Sequence, residues 1–216
     1  MLSVIVPVYN EEKILLEKKP YYRELGKAAR IIFVDGGSQD RTAEIAQGCG
    51  RVIFSAKGRG LQKNAGADAS VADILLFLHV DTCIDGNILQ EIEKAFVQKI
   101  QAGCMTLKID DGRWIFRLFE FLVNLRAKYF GIIDGDLGLI IRRDTFNRLG
   151  QFDPVPFMED ILFTKRLRHI KERVVLPSLI HASSRKWHEQ GFFKTLSQYA
   201  RAYWDFWTGM GRFQKL

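Results

Sequence analysis

Acidic residues and a histidine stand in this chain at the points where short apolar runs end. The run in ADILLFLHVDT (positions 72–82) stops at His79 and Asp81, and the run 31–34 stops at Asp35. Because open α/β sheets bind ligands at the carboxyl ends of their strands, we expect these side chains at one edge of a sheet. Oxygen ligands suit Mg²⁺ and Mn²⁺, and Mn²⁺ also tolerates imidazole. The pattern predicts a polar, metal-bound ligand, with Asp81 and His79 on the same side of a strand end.

Three further positions carry side chains that suit a phosphorylated or hydroxyl-bearing ligand. Arg59 lies in KGRG, where glycines let a guanidinium approach phosphate, although the Gly-Lys-Ser/Thr of a P-loop is missing. Glu159 and Asp160 open a predicted helix, where the helix dipole alone favours carboxylates. Asp136 precedes a predicted strand and is explained equally well as a turn residue or as a ligand contact. These residues alone leave both structural and functional explanations open.

The elements that must position these side chains alternate between strands and helices. Apolar runs predict strands at 2–8, 30–35, 51–55, 73–79, 103–109, 138–142 and 173–176. Helical periodicity covers most of the chain between them, and Pro20 is expected to end the first helix. The alternation predicts an α/β fold with a mostly parallel central sheet flanked by helices.

The composition of the 216 residues is that of a globular protein with more positive than negative charge. Hydrophobic residues make up 47% and charged residues 26%, a balance that argues against disorder, and the net charge is +7. Such a charge favours anionic partners: phosphates, nucleic acid or acidic lipids. Three separated cysteines argue against a zinc site or a disulfide framework and favour a reducing compartment. With no signal peptide and no apolar run of about 18–20 residues, we expect a soluble or peripherally attached protein.

Seven motifs in a fixed order connect the chain to a known family. They are VIVPVYNEE, FVDGGSQDRT, KGRGLQKNAGA, LFLHVDT, GDLGLIIRRDTF, FMEDILFTKRLR and SSRKW. In this order and spacing the chain resembles the family 2 glycosyltransferases, and among them a bacterial subgroup with VDGGS, LHxDT and MED motifs. The resemblance implies a GT-A-like, Rossmann-related fold in a single domain, 1–216. It also implies a nucleotide-binding half, 1–110, and an acceptor and catalytic half, 111–216, with a helical, amphipathic C-terminal segment.

The resemblance implies a role for each candidate residue. It predicts transfer of a sugar from a nucleotide-diphospho-sugar to an acceptor hydroxyl, with inversion and with Mn²⁺ or Mg²⁺ bound by Asp81 and His79. Asp160 is then the general base, and Glu159 orients the catalytic site. The residues expected to bind the nucleotide sugar are Pro7, Tyr9, Asn10, Glu11, Asp35, Arg59, Asp136 and Arg185.

Two departures from the family pattern limit what the resemblance implies. Many relatives carry a second acidic residue after Asp35, where this chain has Gly36, so the base of the donor, uracil or guanine, stays open. The triplet His79-Val80-Asp81 replaces the usual Asp-x-Asp. His79 is therefore either a metal ligand or a packed histidine.

The second half carries two aromatic and basic stretches, 113–130 and 189–208. At helical spacing each places large apolar side chains on one stripe, with Arg and Lys close by, which suits either a membrane surface or the protein core. Membrane docking would bring a lipid-linked acceptor to Asp160. The expected location is then the cytoplasm, at the inner face of the membrane.

Two other functions compete with sugar transfer. A sugar nucleotidyltransferase would usually carry a glycine-rich basic signature after the first strand, where this chain has YNEE. A peripheral membrane-binding protein with a degenerate site is the second alternative, against which the intact Asp35, Asp81 and Asp160 argue. Nucleic acid is not an expected partner, since the chain has none of the usual recognition motifs.

Overall fold

The computed structural model of the protein describes residues 1–85, 87–184, 187–188, 191, 194–197, 200–201 and 204. Strands and helices alternate along this part of the chain, and a 3₁₀ turn at Gly135–Leu137 precedes the seventh strand. The strands are β1 (Leu2–Val8), β2 (Arg30–Asp35), β3 (Arg51–Phe54), β4 (Ile74–Phe77), β5 (Cys83–Ile84), β6 (Ala102–Ile109), β7 (Ile140–Arg142) and β8 (Arg173–Ala182). The helices are α1 (Glu12–Ala28), α2 (Thr42–Gln47), α3 (Arg59–Asp68), α4 (Ile88–Val97), α5 (Trp114–Phe130), α6 (Arg143–Arg148) and α7 (Glu159–Leu167).

The strands of the described chain form one mixed sheet in the order β3-β2-β1-β4-β7-β6-β8-β5. The first four strands pair in parallel, and β6 pairs in parallel with β8. The strands β7 and β5 run antiparallel to their neighbours. The predicted α/β fold with a mostly parallel sheet is confirmed, and the same sheet runs through both predicted halves. The division of the chain near residue 110 stays a prediction.

The parallel register brings the carboxyl ends of β1, β2 and β4 to one edge of the sheet. Val8 at the end of β1 lies opposite Asp35, and Ile5 lies opposite Phe77 at the end of β4. β1 lies inside the sheet between β2 and β4, and its residues from Val4 to Val6 are fully buried. The loops that follow these three strands therefore open on the same edge.

Four phenylalanines pack together between β4 and the helices of the second half. Their ring centroids lie 4.9–5.3 Å apart in the contacts among Phe77, Phe146, Phe152 and Phe163. Each fully buried aromatic side chain contributes about 1.5–3 kcal/mol to folding. The cluster packs α7 against β4, so the start of α7 lies near the loop that carries His79 and Asp81.

Pro20 lies within α1 and does not end it, so the predicted break is wrong. A proline removes one N–H and displaces the carbonyl four residues earlier, which belongs to Leu16. Both residues lie on the exposed side of α1, where water can solvate that carbonyl. The opposite side of the helix is held on the sheet by its buried residues, Ile14, Leu15, Tyr22 and Leu25.

β5 and β8 differ most from the predicted strands. β5 has only two residues, Cys83–Ile84, too few to produce a periodic signal in the sequence. β8 continues to Ala182 instead of ending at 176, because its second part pairs with β5 as well as with β6.

Helix α5 buries one face and exposes a broad apolar face. Its buried residues are Phe116, Glu120, Val123 and Ala127. In the stripe predicted from the sequence, Leu118, Leu122 and Tyr129 are 48%, 52% and 66% exposed, so these residues do not pack into the core. The other predicted stripe, 189–208, lies mostly outside the described residues. Among the helices that the structure describes, none is long and apolar enough to cross a membrane.

Candidate active site

The loops after β1 and β2 are joined by hydrogen bonds that Asn10 makes. Its N–H donates to Ser38 Oγ at 2.9 Å, and its Oδ1 accepts the Gln39 N–H at 2.8 Å. Asn10 has a φ of +54°, a left-handed conformation that asparagine adopts more readily than most residues. These contacts give Asn10 a structural role between the loops, and its contact with a nucleotide stays a prediction.

Asp35 ends β2 and is buried at the edge where the strands finish. Its Oδ1 accepts the N–H groups of Gly37 and Ser38, each at 2.8 Å. Its Oδ2 is buried and finds no hydrogen-bond partner among the described residues. An unsatisfied buried oxygen is costly, and a base N–H or a ribose hydroxyl would satisfy it. The geometry therefore suits the predicted contact of Asp35 with a ligand.

A cleft of about 560 Å³ opens above these strand ends. Six of the predicted site residues line it: Pro7, Tyr9, Glu11, Arg59, His79 and Asp81. Lys57, which also lines the cleft, places its Nζ 3.9 Å from the centroid of the Tyr9 ring in a cation–π contact. The Tyr9 ring, two cations and two carboxylates therefore line one space, which suits a planar base joined to phosphates.

His79 and Asp81 lie in a turn after β4, so the expected alternation along a strand is wrong. β4 ends at Phe77, and the turn is closed by Thr82, whose N–H and Oγ1 donate to the His79 carbonyl at 3.2 and 2.8 Å. The turn nevertheless leaves both side chains on the wall of the cleft.

The residues at this turn could hold a divalent cation only if oxygen atoms of a bound phosphate also coordinate that cation. Within the described ranges, no three Asp, Glu, His or Cys side chains lie close enough together to hold a metal ion. Asp81 offers a hard carboxylate oxygen, which Mn²⁺ and Mg²⁺ prefer, and phosphate oxygens would complete the coordination. The His79 Nε2 atom is buried without a partner beside Gly135, where a Cβ would collide with it. Burial, and then the charges of Lys63 and Arg59, lower the pKa of His79, which keeps the ring neutral.

A buried ion pair joins α3 to α7. Lys63 Nζ lies 2.7 Å from Glu159 Oε1, and only 2% and 3% of the two side chains are exposed. Burial favours the neutral form of Glu159, but the charge and the hydrogen bond of Lys63 outweigh it, so the pKa of Glu159 lies below its usual value. Sequence reasoning missed Lys63, because its partner is 96 residues away and no local pattern marks a lysine as buried.

Asp160 lies in the first turn of α7 and is held by two backbone groups. Its Oδ2 accepts the Gly135 N–H at 2.5 Å, and its Oδ1 accepts the Ile161 N–H at 2.8 Å. It lines a small cavity together with His79, which also lines the large cleft. His79 therefore lies between the cleft and Asp160.

The charges around Asp160 suit a proton acceptor. Burial raises the pKa of Asp160, Lys63 opposes this rise, and Glu159 and Asp134 add to it, so the pKa lies above its usual value. A carboxylate whose pKa is raised is a better general base than an ordinary aspartate.

Asp136 adds a further carboxylate beside Asp160. Its side chain is exposed on one side and surrounded by the chain on the other. This partial loss of hydration, together with the negative charges of Asp134, Asp160 and Asp81, raises the pKa of Asp136 to about 7. Asp134 itself forms an ion pair with Arg126. The predicted contact of Asp136 with the nucleotide sugar stays a prediction, and Arg185 lies outside the described residues.

The family model described as glycosyl transferase family 2 matches residues 3–155. Undecaprenyl-phosphate 4-deoxy-4-formamido-L-arabinose transferase from Pseudomonas paraeruginosa is 30% identical over 162 residues, 66% of this chain and 46% of the relative. A 4,4'-diaponeurosporenoate glycosyltransferase from Staphylococcus haemolyticus is 28% identical over 117 residues, 50% of this chain and 31% of the relative. The chain spans less than half the length of these curated relatives.

Solved structures share the fold at lower identity. TarS from S. aureus has a TM-score of 0.65 and 21% identity, over 85% of this chain and 60% of that chain. The mannosyltransferase PcManGT from Pyrobaculum calidifontis, solved with GDP-Man and Mn²⁺, has a TM-score of 0.67 and 17% identity, over 93% of this chain and 64% of that chain. The predicted GT-A-like fold is confirmed by this likeness. Because the family model covers most of the sequence, the chain belongs to glycosyl transferase family 2.

Proposed function

We propose that the protein transfers a sugar from a nucleotide-diphospho-sugar to an acceptor, with inversion at the anomeric carbon. The observation that carries the proposal is the position of His79, which lines both the cleft of Tyr9 and Arg59 and the small cavity of Asp160. A donor with its base at Tyr9 and its diphosphate at Arg59 has its sugar directed towards Asp160. TarS has been solved with UDP-GlcNAc and PcManGT with GDP-Man, which supports the class of donor.

The donor is held by groups that suit its three parts. The Tyr9 ring offers a flat apolar surface to the base, and Asp35 Oδ2 accepts a hydrogen bond from the base or the ribose. Lys57 and Arg59 place positive charge where the diphosphate lies. A divalent metal, when bound by Asp81 together with the diphosphate, would offset the negative charge of the leaving group.

Asp160 accepts the proton of the acceptor hydroxyl. As the acceptor oxygen bonds to the anomeric carbon, its proton passes to Asp160, and the bond to the diphosphate oxygen breaks with its electron pair. One displacement of this kind inverts the anomeric carbon and needs no covalent enzyme intermediate. The Gly135 N–H fixes Oδ2, and Glu159, held by Lys63, fixes the start of α7.

We propose further that the acceptor is lipid-linked and that the protein works at the cytoplasmic face of a membrane. The name of the relative from Pseudomonas paraeruginosa includes undecaprenyl phosphate. Asp136 lines a mainly apolar groove of about 370 Å³ with Phe119 and Leu122 of α5, which gives an apolar chain a path to the site. The exposed face of α5 lies beside this groove and suits contact with a bilayer.

The test replaces the proposed base and a matched aspartate. Asp160→Asn removes the basicity and keeps the size, whereas Asp144 lies in the first turn of α6 and accepts the next N–H in the same way, at 2.7 Å. With undecaprenol, a lipid whose hydroxyl carries the proton to be removed, and with Mn²⁺ and a panel of UDP-, GDP- and dTDP-sugars, Asp160→Asn is expected to release nucleoside diphosphate ~10²–10⁴-fold more slowly. Asp144→Asn should react at the unaltered rate. Full activity in Asp160→Asn, with normal donor binding in calorimetry, would show that Asp160 is not the base.

A further inference from the structure

Gln62 of α3 is a buried side chain whose amide contacts three separate segments of the backbone. It is 3% exposed. Its Nε2 donates to the carbonyl oxygens of Val8 and Val34, each at 2.8 Å, and its Oε1 accepts the Gly58 N–H at 3.4 Å. An amide is the side chain that can donate twice and accept at its other end. Gln62 therefore joins the end of β1, the end of β2 and the loop before α3.

Each backbone group that Gln62 contacts lies one residue before a residue assigned to the donor. The pairs are Val8 with Tyr9, Val34 with Asp35 and Gly58 with Arg59. Because one peptide unit is nearly rigid, a shift of the Val8 or Val34 carbonyl moves the residue that follows it. The Gly58 N–H belongs to the peptide unit of Lys57, which also lines the cleft, and Arg59 follows directly after Gly58. Gln62 therefore contacts the backbone next to three of the predicted donor-binding residues, and it lines the same cleft.

Gly36 leaves the room that the Gln62 amide occupies. A Cβ at position 36 would lie 3.1–3.2 Å from the carbon, nitrogen and oxygen of that amide, closer than ordinary contact. The Gly36 N–H also donates to the Val8 carbonyl at 3.0 Å, so both residues bind the same oxygen. A side chain at position 36 and the hydrogen bonds of Gln62 therefore compete for space.

We propose that Gln62 is the positioning residue of the donor site, which holds Tyr9, Asp35 and Arg59 at the separation that a nucleoside diphosphate requires. The inference rests on the proposed function and deepens it. Neither methionine nor glutamate can replace the amide. Methionine offers no hydrogen-bond donor, and an ionised glutamate would place a negative charge against two carbonyl oxygens.

The test measures nucleotide binding by calorimetry, with UDP, GDP and dTDP as probes, each with Mn²⁺. If Tyr9, Asp35 or Arg59 is displaced, the nucleotide loses part of its contact with that residue, and a loss of about 1.4 kcal/mol of binding free energy corresponds to a tenfold change in affinity. Gln62→Met and Gln62→Glu are therefore expected to raise the Kd of the preferred nucleotide at least about tenfold, with one site per folded chain. The control is Gln47→Met, at an exposed glutamine of α2, which should bind as the unaltered protein does.

A second variant, Gly36→Ala, disturbs the position of the Gln62 amide without removing it. Gly36→Ala places a methyl group against Gln62 and should also raise the Kd, even if the Gln62 variants do not fold. An unchanged Kd in a folded Gln62 variant or in Gly36→Ala would overturn the inference. Fewer binding sites per chain at an unchanged Kd would overturn it too, because that result shows only that part of the protein is unfolded. If the unaltered protein binds none of the three nucleotides, the proposed function fails together with the inference. Equal binding by the unaltered protein and the variants defeats the inference alone.

Discussion

Lys63 and Glu159 show why a charged pair is buried beside the proposed base. A buried ion pair stabilises a fold little compared with apolar residues of the same size, because both charges lose their hydration. The pair nevertheless places a positive charge next to Asp160 and connects α3 to the first turn of α7. Its position is therefore better explained by the organisation of the site than by stability.

Removing one partner of this pair leaves a buried charge without compensation. Lys63→Met is expected to lower the free energy of unfolding by about 3–5 kcal/mol, and adding Glu159→Met should recover most of the loss. Urea unfolding of both variants measures these changes. Lys27→Met is the control, because Lys27 pairs with Glu24 at 2.6 Å with side chains 72% and 74% exposed, and should cost no more than about 1 kcal/mol. Equal losses for Lys63→Met and Lys27→Met would contradict the role of burial.

At the scale of elements, α5 is packed on one side, whereas its other side is not covered by the part of the chain that the structure describes. Its contact with the sheet uses Phe116 and Val123, while Trp114, Phe121 and Tyr129 are 73%, 60% and 66% exposed. A groove of about 710 Å³ beside this face is lined by Phe121, Tyr129 and three cations, Lys128, Lys171 and Arg173. Aromatic rings next to cations suit the headgroup region of an anionic bilayer.

We expect the exposed face of α5 to bind anionic liposomes, and we expect this binding to weaken as the salt concentration rises. Replacing Lys128 and Lys171 with glutamine should each reduce the partition coefficient about fivefold, from ~1 kcal/mol per cation near the surface. Phe121→Ser with Tyr129→Ser should reduce it further without changing the melting temperature. The control is Phe54→Ser, at a ring 68% exposed on β3. If the unaltered protein does not sediment with any liposome composition at low salt, the acceptor is better sought among soluble molecules.

At the scale of the whole molecule, α3 connects the cleft at the strand ends to α7, the helix that carries the proposed base. Asn64 exchanges two hydrogen bonds with the backbone of Phe152, at 2.8 and 3.0 Å, and Lys63 holds Glu159 at 2.7 Å. Ligand binding at the cleft should therefore stabilise the described fold as a unit.

Donor binding is expected to raise the melting temperature in a metal-dependent way. At a hundredfold excess over Kd a ligand adds about 2.7 kcal/mol, which corresponds to roughly 5–10 °C for a chain of this size. Asp81→Asn should abolish the part of the shift that requires Mn²⁺, whereas Asp68→Asn, at an exposed aspartate of α3, should keep it. A shift that is the same with EDTA as with Mn²⁺ would argue against Asp81 as a metal ligand.

Local patterns in the sequence determined the α/β class, most strands and the residues at strand ends, because strand and loop signals extend over only a few neighbouring residues. The contact between His79 and Gly135, the Gln62 amide and the Lys63–Glu159 pair were decided by the tertiary structure, since their partners lie up to 96 residues away. The same applies to β5 and to the exposed face of α5. A two-residue strand carries no period, and an apolar stripe has the same spacing whether it is covered or exposed. Which side of a helix is buried depends on the surface that packs against it, and only the folded chain supplies that surface.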